Sequence, residues 1–115
     1  MKESVVHEKA FSFALAIIDL YKRLVQQREY VLSRQLLRSG TSIGANLEEA
    51  KAGQSRSDFY TKVTIASKEA RETRYWLLLL QTSQLVSIDL THELALAEEL
   101  IRLLTAILKT TNESR

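Results

Sequence analysis

The sequence predicts an all-α protein folded as an antiparallel four-helix bundle, and three of its features indicate this fold. Its 115 residues include no proline and only three glycines, so few positions interrupt a helix. Apolar residues recur every three or four positions along four segments, which is the period of one helix face. Short polar stretches separate the segments, and short connections make consecutive helices antiparallel. We therefore expect an up-down-up-down order.

The chain length fits a single domain, residues 1–115. Periodicity predicts its four helices at about 4–26, 30–52, 57–81 and 90–110. In the first helix, Ser4 is the candidate N-cap. The apolar stripe that we expect to face the core consists of Phe11, Leu15, Ile18 and Val25, with Ala14, Ile17, Tyr21 and Leu24 beside it.

The second helix contains a polar break at residues 39–42, where we expect it to bend. Gly40 and Gly44 each cost about 1 kcal/mol relative to alanine inside a helix. Either the helix yields at these glycines or another element comes unusually close to them. The third helix, capped by Ser57 or Asp58, carries the clearest heptad stripe of the chain, which is typical of coiled-coil packing.

The fourth helix starts near Asp89 or Thr91 and is apolar over more than half of its circumference. One face consists of Leu94, Ala97, Ile101, Leu104 and Leu108. Because one stripe suffices for packing inside a bundle, we expect the second stripe to contact another copy of the chain. The predicted interface between copies consists of Leu96, Leu100, Leu103, Ile107 and Trp76, the last of which lies off the core stripe of its helix.

Composition argues against several functional classes. Without cysteine there is no disulfide and no thiolate metal site. The longest apolar run, residues 75–80, is far shorter than the roughly 20 residues that span a membrane, and no secretory segment follows the charged start, so we expect a cytoplasmic protein. The Glu-x-x-His pairs of two-metal bundles and the glycine-rich phosphate loops are absent. We therefore expect no cofactor, no metal, no membrane partner and no enzymatic activity.

A polar stripe runs beside the apolar face of the second helix. In an antiparallel pair that turns near Gln54, residues whose numbers sum to about 108 lie at equal height, so Arg38 should reach Glu69 or Glu72. We interpret the stripe as a hydrogen-bonded network between helices or subunits that fixes register. A ligand or catalytic pocket and ordinary solvated surface are the alternatives. The predicted network consists of Gln35, Arg38, Ser42, Asn46, Glu49, Glu69 and Glu72.

One end of the predicted bundle is basic. Five cations lie between residues 22 and 38 against the single acid Glu29, and the height rule brings Lys68, Arg71 and Arg74 towards them. A charge run is usually a solvated face, but several copies around one axis would sum their fields and engage many phosphates. Trp76 could also stack on a base, although burial is the simpler interpretation. The candidate nucleic-acid residues are Lys22, Arg23, Arg28, Arg34 and Arg74.

Two blocks of sequence resemble a known family. Residues 35–50, QLLRSGTSIGANLEEA, and residues 68–77, KEARETRYWL, with Asp58-Phe59 between them, are similar to the bacterial four-helix bundle proteins encoded in intervening sequences of 23S ribosomal RNA genes. Many relatives have proline where this chain has Gly44. The positions that match the family are Gln35, Arg38, Ser42, Asn46, Glu49, Glu69, Glu72 and Trp76.

The resemblance implies a ring of five identical four-helix bundles and no known enzyme activity. A similar protein, the accessory variability determinant of diversity-generating retroelements, works with a reverse transcriptase and binds nucleic acid through a basic surface. By analogy, we hypothesise a non-catalytic oligomeric scaffold that associates with RNA or a ribonucleoprotein through its basic end. The alternative is a purely protein-binding assembly module. The sequence indicates neither the partner beyond a second copy of the chain nor the biological process.

Overall fold

Four helices make up the described part of the chain, which is residues 2–113 of a computed structural model, with side chains described for residues 4–112. No strand occurs within that range, so the all-α prediction is confirmed there. Each helix packs against its neighbours in the chain, α1 also packs against α4, and the pairs α1–α3 and α2–α4 are diagonal. The helices are α1 (Lys2–Gln26), α2 (Leu32–Lys51), α3 (Arg56–Ser83) and α4 (Thr91–Glu113).

The core stripe of α1 differs from the predicted one. Phe11, Leu15 and Ile18 are exposed, at 68%, 54% and 37% of their surface. Ser4 lies inside α1, which begins at Lys2, so the predicted cap is also wrong. Both apolar stripes of α1 have helical spacing, and periodicity alone cannot show which one faces inward. The buried side chains of α1 are Val6, Ala10, Phe13, Ile17, Leu20 and Leu24.

A buried glutamate fixes the start of α2. The carboxylate of Glu29 accepts hydrogen bonds from the backbone N–H groups of Val31, Leu32 and Ser33, and the Ser33 hydroxyl donates to the Glu29 carbonyl at 2.7 Å. The first N–H groups of a helix have no partner within the helix, so this carboxylate satisfies them. As a result, α2 begins at Leu32, two residues later than expected from its apolar pattern.

The starts of α3 and α4 are also set by side-chain caps. Ser55 is the N-cap of α3: its Oγ accepts from the N–H of Asp58 at 3.0 Å, while the Asp58 carboxylate accepts from the N–H of Gln54 at 3.1 Å. The pair resembles a capping box, except that Asp58 accepts from the residue before the N-cap, and it begins α3 before the predicted Ser57. Ahead of α4, Asp89 accepts from the backbone and the hydroxyl of Thr91, which lowers the pKa of Asp89.

Both apolar stripes of α4 are used within one copy of the chain. Leu100 and Ile107 retain 1% and 4% of their exposed surface, so the prediction that they contact another copy is wrong. Leu96 and Leu103 are half-buried and pack against the core. A helix that contacts two neighbours needs a wide apolar arc, and α4 packs on both α3 and α1.

α1 packs closely against α2 at Gly40. α2 is helical without interruption from Leu32 to Lys51, and a Cβ added at Gly40 would lie 2.9 Å from Cγ2 of Ile17. The close neighbour is therefore a side chain of α1. Nearby, the hydroxyl oxygens of Ser39 and Thr73 lie 2.8 Å apart, buried between α2 and α3. This hydrogen bond satisfies two polar groups that would otherwise be costly inside the core.

Candidate nucleic-acid interface

The helix ends near residue 27 are held together by polar contacts. The Gln27 side chain accepts from the N–H of Ser87 at 2.9 Å and donates to its carbonyl at 3.4 Å. Beside this pair, a terminal nitrogen of Arg23 lies 3.1 Å from the buried carboxylate of Glu93, and its Nε lies 3.4 Å from Asp19. Arg23, a predicted nucleic-acid residue, is thus half-buried and already paired with two acids.

The other predicted cations are free of ion pairs. Lys22, Arg28 and Arg34 are exposed and Arg74 is half-buried, and no carboxylate oxygen among residues 4–112 lies within 4.0 Å of any of them. Lys68 and Arg71 on α3 are exposed and unpaired in the same sense. We call this set the basic surface: Lys22, Arg28, Arg34, Lys68, Arg71 and Arg74.

Two contacts place the α3 members of the basic surface at the height of the first turns of α2. The Ser39–Thr73 hydrogen bond sets Thr73, the residue before Arg74, level with Ser39, and Arg38, one turn after Arg34, contacts Glu69 and Glu72 of α3. Arg28 lies in the connection between α1 and α2, with a positive φ of 63°. The basic surface therefore covers the half of the bundle that contains this connection.

Most acids in this half of the molecule are already occupied. Asp19 and Glu93 contact Arg23, Glu69 and Glu72 contact Arg38, and Glu29 is buried as the cap of α2. Each of these carboxylates already has a cation or N–H partner, whereas the cations of the basic surface have no acidic partner among residues 4–112. The unpaired charge that faces solvent here is thus largely positive, which favours an anionic ligand.

Arg38 makes the contact that the height rule predicts. It donates to Glu69 at 3.0 Å and also to Glu72. Trp76 donates its indole N–H to Glu72 at 2.9 Å. Partial burial by itself would raise the pKa of Glu72, but the hydrogen bonds from Trp76 and Arg38 outweigh it and lower that pKa. The hydrogen bond with Glu72 in turn raises the pKa of Arg38. This cluster joins α2 to α3 at the surface.

The rest of the predicted polar network does not join this cluster. Ser42 donates to the carbonyl of Arg38 at 2.7 Å, and Asn46 donates to the carbonyl of Ser42 at 2.8 Å, so both bond to their own helix. Glu49 accepts from Lys62 at 2.6 Å, farther along the α2–α3 pair, and Gln35 is exposed.

A single chain leaves apolar side chains exposed on α1 rather than on α4. We call Phe11, Leu15 and Ile18 the α1 stripe. Beside it runs a shallow groove between α1 and α2 that is lined by Ala14, Gly44 and Ala45, among others. Contiguous exposed apolar surface of this kind commonly marks a contact with another protein. Trp76 is half-buried.

A sequence profile of the 23S rRNA-intervening sequence proteins matches residues 2–106, nearly the whole chain. The chain belongs to this family. It is also similar to a solved structure, a protein with unknown function from the S23 ribosomal protein family from Bacteroides thetaiotaomicron VPI-5482, at 48% identity and a TM-score of 0.90. The match covers 95% of this chain and 99% of that one. No curated protein matches the sequence.

The description of this family names no catalytic activity, and the name of the similar solved structure names none either. Between residues 2 and 113, no histidine, cysteine, aspartate or glutamate side chains form a group of three or more that could hold a metal ion. No helix of that range is both long and apolar enough to cross a membrane.

Sequence reasoning missed three features of this family member. The Glu29 cap had little signal in the sequence, since Ser, Thr, Asp and Asn are the usual residues just before a helix and Glu29 lies two residues before the N-cap Val31. The Ser39–Thr73 hydrogen bond and the exposure of Tyr75 had no clear local signal, because both depend on how α2 and α3 pack against each other.

Proposed function

We propose that this protein is a non-catalytic helical scaffold that assembles with copies of itself and binds RNA through its basic surface. The observation that carries the proposal is the contrast between cations: those on the basic surface have no acidic partner among residues 4–112, whereas Lys9, Arg23, Arg38, Lys51 and Lys62 are ion-paired. The family description, which names 23S rRNA, supports RNA as the ligand. A cytoplasmic location, where ribosomal RNA occurs, is part of the proposal.

The scaffold that we propose is an up-down-up-down bundle. In support of it, contacts between helices pair rising with falling residue numbers. Arg38 of α2 meets Glu69 and Glu72 of α3, while Glu49 meets the earlier Lys62. Lys9 of α1 meets Glu99 of α4, while Arg23 meets the earlier Glu93.

Several copies are proposed to form a ring, with the α1 stripe in the contact between them. Phe11 and Leu15 expose more than half of their side chains on a helix whose opposite stripe fills the core. Closed rings arise when one surface of a copy meets a different surface of the next. A ring would repeat the basic surface around one axis, so that one RNA could meet several copies.

Binding would follow the physics of phosphate neutralisation. Each lysine or arginine that contacts a phosphate releases a condensed counterion, so affinity falls steeply as salt rises. Paired cations contribute less, because the carboxylate beside them offsets their charge. The basic surface should thus account for most of the salt dependence, and contacts to phosphates would carry little sequence preference.

A binding titration over a salt series tests the proposal. The probes are a labelled fragment of 23S rRNA and an unrelated RNA of the same length. Wild-type protein should bind both at low salt, with a steep loss of affinity as salt rises. The double change Arg28→Glu with Arg34→Glu should abolish binding at physiological salt.

The matched control is Arg102→Glu with Lys109→Glu. Both residues are exposed, lack an ion pair with any described carboxylate, and lie on α4 away from the basic surface. The two double variants have the same net charge, so they differ only in where the charge changes. Equal loss of RNA affinity in both double variants would mean that only the net charge of the protein matters. That result would contradict the proposal that RNA binds at the basic surface.

A second candidate function is a protein-binding assembly module without RNA binding, and the exposed α1 stripe favours it. For this candidate, the unpaired cations serve solubility alone. It predicts no saturable binding of either RNA probe at any salt concentration, together with a stable assembly of copies. The titration described above separates the two candidates directly.

A further inference from the structure

Tyr75 is an exposed aromatic residue beside the α3 members of the basic surface in sequence. It lies on α3 with 55% of its surface accessible. Arg71 precedes it by one helical turn and Lys68 by two, so all three share one face of α3. Neither cation has an acidic partner among residues 4–112. Aromatic rings interleaved with unpaired cations are the pattern of single-stranded nucleic-acid grooves.

The neighbouring side chains hold the Tyr75 ring in place. Its ring meets that of Trp76 edge to face, with centroids 5.4 Å apart and planes inclined by 62°. Trp76 is in turn fixed by its hydrogen bond to Glu72 at 2.9 Å, and Glu72 contacts Arg38. A ring that is already oriented loses little conformational freedom when a ligand stacks on it. Trp76 itself is half-buried, so Tyr75 is the more accessible of the two rings.

The acids on this part of α3 are partly offset by Arg38. Glu69 and Glu72 are the two carboxylates nearest to Arg71 in sequence, and Arg38 pairs with both of them. The predicted polar cluster therefore has a second consequence: the single positive charge of Arg38 offsets about half of the negative charge of Glu69 and Glu72 beside Tyr75. Lys68, Arg71 and Arg74 have no acidic partner among residues 4–112 and remain available for phosphates next to a base.

We propose that Tyr75 is a base-stacking residue, and that the ligand of the basic surface is single-stranded nucleic acid whose unpaired base lies on the Tyr75 ring. This inference rests on the proposed function, and it specifies the class of RNA that is bound. Bases inside a duplex are stacked on one another and cannot reach the ring, whereas bases in loops and single strands can. Phosphate contacts alone would accept both forms.

The experiment compares a single-stranded RNA of mixed sequence with a duplex of the same length. Wild-type protein should bind the single strand more tightly. Tyr75→Ala and Tyr75→Leu should each weaken single-strand binding by about ten-fold or more, while leaving duplex binding unchanged. Tyr75→Phe keeps the ring and should retain wild-type affinity. Helix content and particle mass of each variant should match the wild type, since Tyr75 is exposed.

Tyr30 provides the matched control, because it is a similarly exposed tyrosine at the same end of the bundle without a ring contact among residues 4–112. Tyr30→Ala should leave single-strand binding within about two-fold of wild type. Loss of binding in Tyr30→Ala but not in Tyr75→Ala would overturn the assignment of Tyr75.

A second readout uses the only tryptophan of the chain. Because Trp76 contacts Tyr75, stacking of a base on Tyr75 should change Trp76 fluorescence with the single strand and not with the duplex. Single-stranded DNA of the same sequence shows whether the sugar matters, and equal binding of it keeps the stacking assignment. Equal affinity of wild type and Tyr75→Ala for the single strand would overturn the stacking role alone. Failure of wild-type protein to bind any strand would overturn the proposed function as well.

Discussion

The first and last helices of this bundle each carry two apolar stripes, but the second stripe is buried on α4 and exposed on α1. On α4 the second stripe is covered within one chain: Leu100 and Ile107 are almost fully buried. On α1 the second stripe is uncovered: Phe11 and Leu15 retain 68% and 54% of their exposed surface. The comparison teaches that the width of an apolar arc does not identify an interface between copies.

Packing geometry explains the difference. α4 lies against both α3 and α1, and the groove between α1 and α4 is lined by Phe13 and Lys9 on one side and by Leu96, Glu99 and Leu100 on the other. The second stripe of α4 thus meets α1. The α1 stripe lies outside the arc that α1 needs for its own two neighbours, so a single chain leaves it exposed to solvent.

The largest expected effect tests the assembly that follows from this contrast. Phe11→Ser with Leu15→Ser should convert the assembly entirely to single copies, because it removes the exposed apolar surface of α1. Sedimentation velocity measures the particle mass. As a control, Val31→Ser with Leu85→Ser removes exposed apolar side chains from the helix connections and should leave the mass unchanged. A wild-type protein that already sediments as one copy would contradict the predicted assembly.

A smaller effect is expected when one leucine of α4 and one of α1 are truncated and the stability of the single chain is compared. Leu100→Ala should lower the free energy of unfolding by about 2 to 5 kcal/mol, since it leaves a cavity in the core. Leu15→Ala removes the same atoms from an exposed position and should change the stability of the single chain by less than about 0.5 kcal/mol.

Urea unfolding measures both variants at several protein concentrations, so that any contribution from assembly appears as a dependence on concentration. Because the two substitutions are chemically identical, the difference between them reports burial alone. Similar losses of unfolding free energy for Leu100→Ala and Leu15→Ala would mean that the two leucines are equally buried, which would contradict the difference between α1 and α4.

The smallest expected effect is on stability, at the two glycines where α2 packs against α1. Gly40→Ala should destabilise the fold by about 1 to 3 kcal/mol, because the added Cβ would lie 2.9 Å from the branched side chain of Ile17. Gly44→Ala should instead stabilise it by about 0.5 to 1 kcal/mol, since its Cβ would lie 3.8 Å from Ala10. Thermal unfolding measures both variants. Stabilisation by both substitutions would show that α1 does not approach Gly40 so closely.

Much of the fold and part of the candidate site could be predicted from sequence. Helical spacing and the scarcity of glycine and proline are local properties, and they identified four helices. The fixed rise of a helix relates positions on α2 and α3, which was enough to predict that Arg38 meets Glu69 and Glu72. The two sequence blocks around these residues were specific enough to identify the family.

Other features depend on contacts between elements, and the sequence alone could not supply them. Arg23 appears equivalent to Lys22 and Arg28 in the sequence, but the packing of α4 places Glu93 beside Arg23 alone. The starts of α2 and α3 moved from their predicted positions because Glu29 and Ser55 satisfy helix N–H groups better than the residues that periodicity favoured. Both cases are competitions that only a three-dimensional arrangement resolves.

Local periodicity and short motifs are therefore enough to predict the helices, their approximate lengths and the membership of the 23S rRNA-intervening sequence proteins. Which stripe of α1 faces the core depends on how the helices pack. Both stripes contain residues at helical spacing, and the buried one includes Ile17, which lies against Gly40 of α2, a residue without a side chain. A core position must match its neighbours in shape as well as be apolar, and the shape of a neighbouring helix is known only once the helices are packed together.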